Sequence, residues 1–245
     1  VITGHHRRCH PFVQATFARL ERVGKPVAVQ GMWSLRKHDS YYDPDWRRAP
    51  GSGPLMTNLS HEIDLMRGFL GDIDEVSALS SNATRGFVIE DTAAISIRFR
   101  NGALGSFLIS DAGLSPWSFE AACGENPDVP ISGQDYLRFT GTAGAMSFPS
   151  LMLWQGAGGK PATWHTQLER EACPSFDRID PIAVQMDLFA NLLEGRDSGI
   201  LADGADGRAT LEATLAAVLS AQMGRPVRQG EVPADYDGSS ISEVT

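Results

Sequence analysis

The sequence has few cysteines, a deficit of basic residues and no long apolar run. Its 3 cysteines, Cys9, Cys123 and Cys173, are too few for a disulfide framework, so we expect a reducing, cytoplasmic setting. The net charge of -9 opposes contact with phosphate backbones, and nucleic acid is therefore not an expected partner. No apolar stretch approaches the roughly 20 residues that a membrane-spanning helix needs, so no membrane association is expected.

The sequence also lacks the common motifs of nucleotide-binding sites and of catalytic nucleophiles. The chain contains no G-x-G-x-x-G fingerprint, no Walker A loop and no G-x-S-x-G elbow. The opening residues, Val1-Ile2-Thr3-Gly4, are typical of the end of a buried strand followed by a turn. We therefore expect the chain to begin inside a fold.

Hydrophobic residues make up 42% of the chain, which is typical of a globular protein. Apolar periodicity and capping residues predict four helices, at 11–23, 58–70, 181–193 and 205–223. Alternating segments predict strands at 27–35, 73–84, 92–99, 103–110, 119–123, 136–140, 145–148 and 151–154. Because most of these strands follow one another directly, with an Asn101-Gly102 hairpin turn, the expected fold class is α+β with a large, mainly antiparallel sheet.

The strongest candidate for chemistry is the segment GPLMTNLSHEIDLMR at 53–67. Asn58, His61 and Asp64 share one helix face because they are spaced three residues apart. A histidine there can exchange a proton with a substrate hydroxyl, while Asp64 holds its ring or contacts a hydroxyl. The alternative is structural: Asn58 caps the helix and Asp64 pairs with Arg67 at the surface.

The segment HHRRCH at 5–10 is a second candidate. His6 and His10, four residues apart with Cys9 beside them, have the spacing of metal ligands, but no second cluster completes four ligands. The alternatives are a basic turn that suits an anionic or hydroxylated ligand, and a plain solvated turn.

A third candidate is the loop YYDPDWRR at 41–48. Trp46 and Arg47 together suit a ligand site, since aromatic faces stack on rings and a guanidinium reaches oxygens. In the alternative, Trp46 fills the core while Arg47 and Arg48 are solvated.

Together these segments resemble the C-terminal part of the Gfo/Idh/MocA oxidoreductases, the glucose-fructose oxidoreductase and inositol dehydrogenase family. The resemblance runs from Val1 to about Val227. It is carried by GHHRRCHP, WRR, GPLMTNLSHEIDLMRGFLG, EDTAAISIRFRNGALGSFLISD, GTAGAMSFP and GRATLEATLAAVLSAQMGRPV. The combination is specific, although each piece alone is weak.

The resemblance implies a chain without the Rossmann half that holds NAD or NADP. Residues 1–10 would be the end of that half and a crossover, 11–228 a substrate-binding and oligomerisation domain, and 229–245 a mobile tail. The family's D-x-x-x-H-x-x-D motif places its histidine on His61 and its last carboxylate on Asp64. Its first Asp falls on Thr57, a departure that Asn58 would partly compensate. The family's catalytic lysine lies in the other half.

The resemblance therefore predicts part of a dehydrogenase for a sugar, inositol or related polyol, assembled as a homo-oligomer through the open sheet face. His61 would be catalytic, and substrate contacts would come from Asn58, Asp64, Trp46 and Arg47. Arg8 would contact the cofactor, and no metal is expected. Two other classes stay open. One is a non-catalytic sugar-binding or assembly module of the same fold, and the other is a metal-dependent hydrolase that uses His5, His6, His10 and His61.

Overall fold

The computed structural model describes residues 1–159, 162–173, 176, 179–196 and 199–239. The described helices are α1 Pro11–Leu20, α2 Pro54–Thr57, α3 Leu59–Leu70, α4 Phe119–Cys123, α5 Pro181–Leu193 and α6 Gly204–Met223. The described strands are β1 Pro26–Ser34, β2 Ile73–Ser81, β3 Thr92–Phe99, β4 Leu104–Ser110, β5 Leu137–Gly141, β6 Gly144–Phe148, β7 Leu153–Gly156, β8 Leu168–Glu171 and β9 Val227–Arg228.

These strands form a nine-stranded sheet in the order β8-β7-β6-β5-β1-β4-β3-β2-β9. The pairings from β5 to β8, and those that join β4, β3, β2 and β9, are all antiparallel. The predicted α+β class with a large, mainly antiparallel sheet is therefore confirmed. The chain divides into two compact units, Val1–Gln30 with Phe119–Gly207, and Gly31–Ser118 with Arg208–Thr245.

In the first unit, α1 begins where the sequence predicts. Pro11 occupies its first turn, and the backbone N–H of Phe12 donates to the His10 ring at 3.4 Å. Helix α5 begins at Pro181, and the carboxylate of the preceding Asp180 accepts from the N–H groups of Ile182 and Ala183. Both helices start as their residues dictate, because a side-chain or ring acceptor satisfies N–H groups that the first turn leaves unpaired.

In the second unit, β3 shows the alternation that its sequence predicts. Ala93, Ile95, Ile97 and Phe99 are buried, and the residues between them face outward. Helix α3 lies in the same unit and buries Leu59, Ile63, Leu65 and Met66 among other side chains. One face of β3 therefore belongs to the core and the other face is exposed, as period-two patterning requires.

The predicted strand at 119–123 is wrong, since Phe119–Cys123 is the short helix α4. Ala121, Ala122 and Cys123 are buried in succession, which a strand with one covered face does not allow. A short apolar run does not distinguish a buried helix from a strand. Two strands were not predicted: β8 is exposed throughout and so has no apolar alternation, and β9 has only two residues.

The predicted tail is described as far as residue 239, and residues 240–245 lie outside the described part. The N–H of Gly230 donates to Glu212 at 2.6 Å, and the Tyr236 hydroxyl donates to Gln222 at 2.9 Å, so residues 230 and 236 contact α6. In the part of the chain that the structure describes, no helix has both the length and the apolar character needed to cross a bilayer.

Candidate functional site

Asn58 lies at the break between α2 and α3. Its backbone angles, φ -121° and ψ -40°, interrupt the helix, and its side chain makes no capping bond to α3. Instead, its carboxamide Oδ1 accepts from the Thr57 hydroxyl at 2.9 Å and from Lys37 Nζ at 2.9 Å. The structural alternative, in which the Asn58 side chain caps the helix, is therefore wrong.

His61 lies in the first turn of α3 and is partly exposed. Its backbone N–H donates to the Asn58 carbonyl at 3.2 Å, so Asn58 and His61 belong to one turn. The expected placement of His61 at the front of an amphipathic helix is what the structure shows. His61 as a whole is only partly covered by protein, although its ring Nδ1 is buried.

Asp64 is buried, with 1% of its surface exposed, so it is not the surface residue of the structural alternative. The Thr210 hydroxyl of α6 donates to its Oδ1 at 3.2 Å. Arg67 Nη1 donates to the same hydroxyl at 2.9 Å, and its Nη2 contacts Asp72 at 2.8 Å. These bonds join α3 to α6 through buried polar groups, each of which has a partner, as buried polar groups require.

Lys37 was not predicted as a site residue. It follows β1 in the polar loop, and its side chain is 13% exposed. Nζ lies 2.9 Å from Asn58 Oδ1, 3.6 Å from Asp111 Oδ2 and 4.7 Å from the centroid of the Tyr41 ring. The sequence signal for Lys37 is its position just beyond the end of β1.

Asp111 anchors the group around Lys37. It directly follows β4, is 1% exposed, and accepts hydrogen bonds from the Tyr42 hydroxyl and from Arg85 Nε at 3.3 Å. Burial, followed by the bond to Asp111, raises the pKa of Tyr42. Tyr42 is therefore a neutral donor to Asp111, and the buried carboxylate is balanced by Lys37 and Arg85.

The loop at 41–48 joins this group through Tyr41. Arg47 Cζ lies 4.1 Å from the centroid of the Tyr41 ring and 5.0 Å from that of Trp46, and Arg47 Nη1 donates to the Tyr41 carbonyl at 2.8 Å. Trp46 is 62% exposed, so the alternative in which it fills the core is wrong. Two candidates that are separate in the sequence, the loop and the helix, thus meet through Tyr41 and Lys37. A cavity of about 370 Å³ opens beside Tyr42 and Arg85, but no sequence-predicted site residue lines it.

Arg8 lies in the first unit, where its Nη1 contacts Asp206 at 2.9 Å. Nearby, Arg7 lies over the Phe119 ring and pairs with Glu120 and Glu125. His6 Nε2 lies 2.6 Å from Glu125, and this hydrogen bond, acting against burial, raises the pKa of His6.

Burial by itself would raise the pKa of Glu125, but the hydrogen bond from His6 and the charges of Arg7 and His6 outweigh it and lower the pKa to about 2. Burial is the largest influence on His10 and lowers its pKa to about 4. Among the described residues no group of three or more His, Cys, Asp or Glu side chains is arranged to hold a metal ion. The histidines at 6 and 10 thus have protein partners of their own in this segment.

Comparison with known proteins identifies the family of this chain. Residues 18–147 match the model of the GFO/IDH/MocA C-terminal domain, which is more than half of the chain. Comparison with curated proteins found no significant match.

Solved structures with the same fold include three dehydrogenases or oxidoreductases. One is an oxidoreductase from Agrobacterium radiobacter in complex with NAD+, L-tartaric acid and magnesium, with TM-score 0.70 and 18% identity over 94% of this chain and 65% of that one. Another is the WlbA dehydrogenase from Bordetella pertussis with NADH and UDP-GlcNAcA. Its TM-score is 0.64, and it is 21% identical over 96% of this chain and 63% of that one. A third is a levoglucosan dehydrogenase with NADH and levoglucosan. Its TM-score is 0.68, and it is 18% identical over 94% of this chain and 66% of that one.

This chain thus spans 63–66% of the length of these three structures. At such identities the structural likeness shows the fold alone, whereas the match to the domain model covers residues that contain the candidate site. The chain belongs to the GFO/IDH/MocA family of oxidoreductases and carries that family's C-terminal domain.

Proposed function

We propose that this chain is the substrate-binding part of an NAD(P)-dependent oxidoreductase that acts on a hydroxyl of a sugar, inositol or related polyol. The observation that carries the proposal is that the matched C-terminal domain contains His61 and Asn58 in one turn, with Lys37 bonded to Asn58. The neighbouring structures with NAD+ or NADH and sugar-type ligands support the class of substrate.

In this proposal His61 accepts the proton of the reacting hydroxyl, because imidazole is the side chain most often used for positioned proton transfer. Asn58, Trp46 and Arg47 contact the substrate, since an amide, an indole face and a guanidinium suit a hydroxylated ring. Asp64, expected as a substrate contact, is buried against Thr210, and the proposal instead gives it the role of fixing the position of α3 and of the histidine that α3 carries.

The proposal assigns cofactor binding mainly to protein outside this chain, and substrate binding to this chain. No glycine-rich phosphate-binding motif occurs in the sequence, so the proposal assigns the dinucleotide phosphates to protein outside residues 1–245. Arg8, held by Asp206 in the first unit, is the proposed cofactor contact of this chain. The bound nicotinamide supplies the hydride acceptor, while the residues of this chain orient the substrate and take its proton.

The test is a dehydrogenase assay of the full-length gene product. NAD+ and NADP+ are each combined with myo-inositol, levoglucosan, D-glucose, D-gluconate and D-glucuronate, and formation of reduced nicotinamide is followed by absorbance. Oxidation of at least one compound is expected. Binding of a sugar without oxidation under any of these conditions would instead show the non-catalytic module. Absence of both oxidation and binding would overturn the proposal.

A further inference from the structure

The orientation of the Asn58 carboxamide is fixed by the chemistry of its partners. A lysine ammonium only donates hydrogen bonds, so the atom that faces Lys37 Nζ at 2.9 Å must be the amide oxygen. The Thr57 hydroxyl lies 2.9 Å from the same oxygen. Because the single acceptor atom of the side chain already has two neighbours, what Asn58 has left to offer is its NH2 group.

That NH2 group has no hydrogen-bond partner among the residues that the structure describes, and Asn58 is partly exposed. A partly covered amide with its oxygen occupied and its two N–H donors unused points to a ligand atom that accepts hydrogen bonds.

Lys37 is itself held from several sides. Its backbone N–H donates to the Asp111 carbonyl at 2.9 Å, and its carbonyl accepts from Arg85 Nη2 at 2.9 Å. Its ammonium lies between Asn58 and Asp111 and against the Tyr41 ring. A lysine with 13% exposure and a fixed backbone is a rigid support rather than a mobile surface charge.

We propose that Lys37 is a positioning residue that turns the Asn58 carboxamide so that only N–H donors face the substrate, and that the substrate oxygen bound there is a hydrogen-bond acceptor. This inference rests on the proposed function. As a hydroxyl is oxidised, its oxygen loses a proton and becomes a carbonyl, which only accepts. Donors fixed in advance therefore bind that oxygen more strongly as the reaction proceeds.

The consequence concerns specificity. At the start of α3 the Asn58 carboxamide offers donors, because Lys37 and Thr57 occupy its oxygen. A hydrogen-bond donor in the site binds a ligand acceptor, and a site acceptor binds a ligand donor. A ligand that leaves such a polar group without a partner binds more weakly. The site of this protein accordingly favours a carbonyl, carboxylate or alkoxide oxygen next to His61.

The kinetic test uses the full-length protein and the compound from the proposed panel that it oxidises best. Lys37→Met and Asn58→Ala should each lower kcat/KM by about 10- to 100-fold, as expected for loss of a hydrogen bond that involves a charged group. If Lys37 acts through Asn58, the double variant should be no worse than Asn58→Ala, and Lys37→Arg should recover most of the activity. Asn58→Asp keeps a partner for Lys37 but presents acceptors, and it should lose as much activity as Asn58→Ala.

The exposed Lys25→Met is the matched control and should match the wild type. Effects of Lys37→Met and Asn58→Ala that multiply in the double variant would show that Lys37 contacts the substrate itself, which overturns the proposal. Wild-type kcat/KM in Lys37→Met would overturn it as well.

A spectroscopic test separates this proposal from the proposed function. In the full-length protein labelled with 15N-asparagine, Asn58→Ala identifies the side-chain amide signals of Asn58. Lys37→Met should shift those signals, while Lys25→Met should not. If no panel compound is oxidised but the shift is seen, the proposed function fails and the positioning stands. Unshifted Asn58 signals in Lys37→Met would overturn the positioning whatever the activity.

Discussion

The Glu90 carboxylate occupies the space in which a side chain at Gly53 would lie. A Cβ at Gly53 would be 2.2 Å from Glu90 Oε1, the atom that accepts the Leu55 N–H at 2.9 Å. Gly53 has no side chain with which to cap α2, so a residue distant in sequence caps it instead. Because α2 leads into Thr57 and Asn58, this contact positions the start of the candidate site.

Gly53→Ala should therefore displace the Glu90 carboxylate and destabilise the fold by about 1 kcal/mol, the usual value of a helix cap. Urea unfolding of the wild type and the variant measures the difference. Gly4→Ala is the control, since a Cβ there meets nothing within 4 Å. If Glu90→Ala and Gly53→Ala act through the same bond, their combined loss should be less than additive.

His61→Ala in the full-length enzyme should lower the turnover rate by about 100- to 10,000-fold, the usual contribution of a positioned proton acceptor. Folding should be unaffected, because the side chain is partly exposed. The measurements are kcat with the best panel substrate, and the thermal midpoint as a control for folding. Turnover close to that of the wild type would reduce His61 to a substrate contact.

Asp111→Asn should destabilise the second unit by about 3 kcal/mol, because it leaves Lys37 and Arg85 without their buried counter-ion. Asp39→Asn is the matched control. Asp39 also contacts Arg85, at 3.5 Å, but its side chain is 84% exposed, so its loss should cost less than about 0.5 kcal/mol. Equal losses in the two variants, measured by urea unfolding, would contradict the role of burial.

The pair of His6 and Glu125 predicts a pH dependence of stability. The folded pKa of His6 lies above its ordinary value of 6.5, so the pair stabilises the fold below that pH, and the benefit is lost as pH rises through the folded pKa. His6→Gln should therefore destabilise the protein more in mildly acidic than in alkaline buffer. Unfolding midpoints in urea at the two pH values measure this. The His6→Gln effect should lose its pH dependence in a Glu125→Gln background.

The exposed sheet face of the second unit predicts self-association. Leu79 pairs with Ala94, and Ala94 with Leu108, which places an apolar row across three strands. Leu79 is 75% exposed and Leu108 43% exposed. We expect a dimer or tetramer that Leu108→Glu weakens, measured by light scattering of the full-length protein. Ser106→Glu, one row away, is the control, and a wild-type monomer at high concentration would contradict the prediction.

The sequence by itself determined the elements whose patterns are local. Strand β3 was predicted at its observed bounds, as was helix α5, because period-two alternation, and a proline at a helix start with a glycine just past its end, are read within one segment. The placement of His61 at the front of α3 followed in the same way. Helix α4 was mistaken for a strand because a short run of buried apolar residues has no period to read.

Only the tertiary structure decided the partners of the site residues. Lys37 lies 21 residues before Asn58 in the sequence, and Asp111 lies 69 residues after Tyr42. Nothing local in the sequence marks such pairs, since they form only when the end of β1, the end of β4 and the start of α3 come together. The same is true of Asn58, whose residue type predicts a helix cap. Its amide oxygen instead accepts from Lys37, because a largely covered ammonium needs acceptors within the protein.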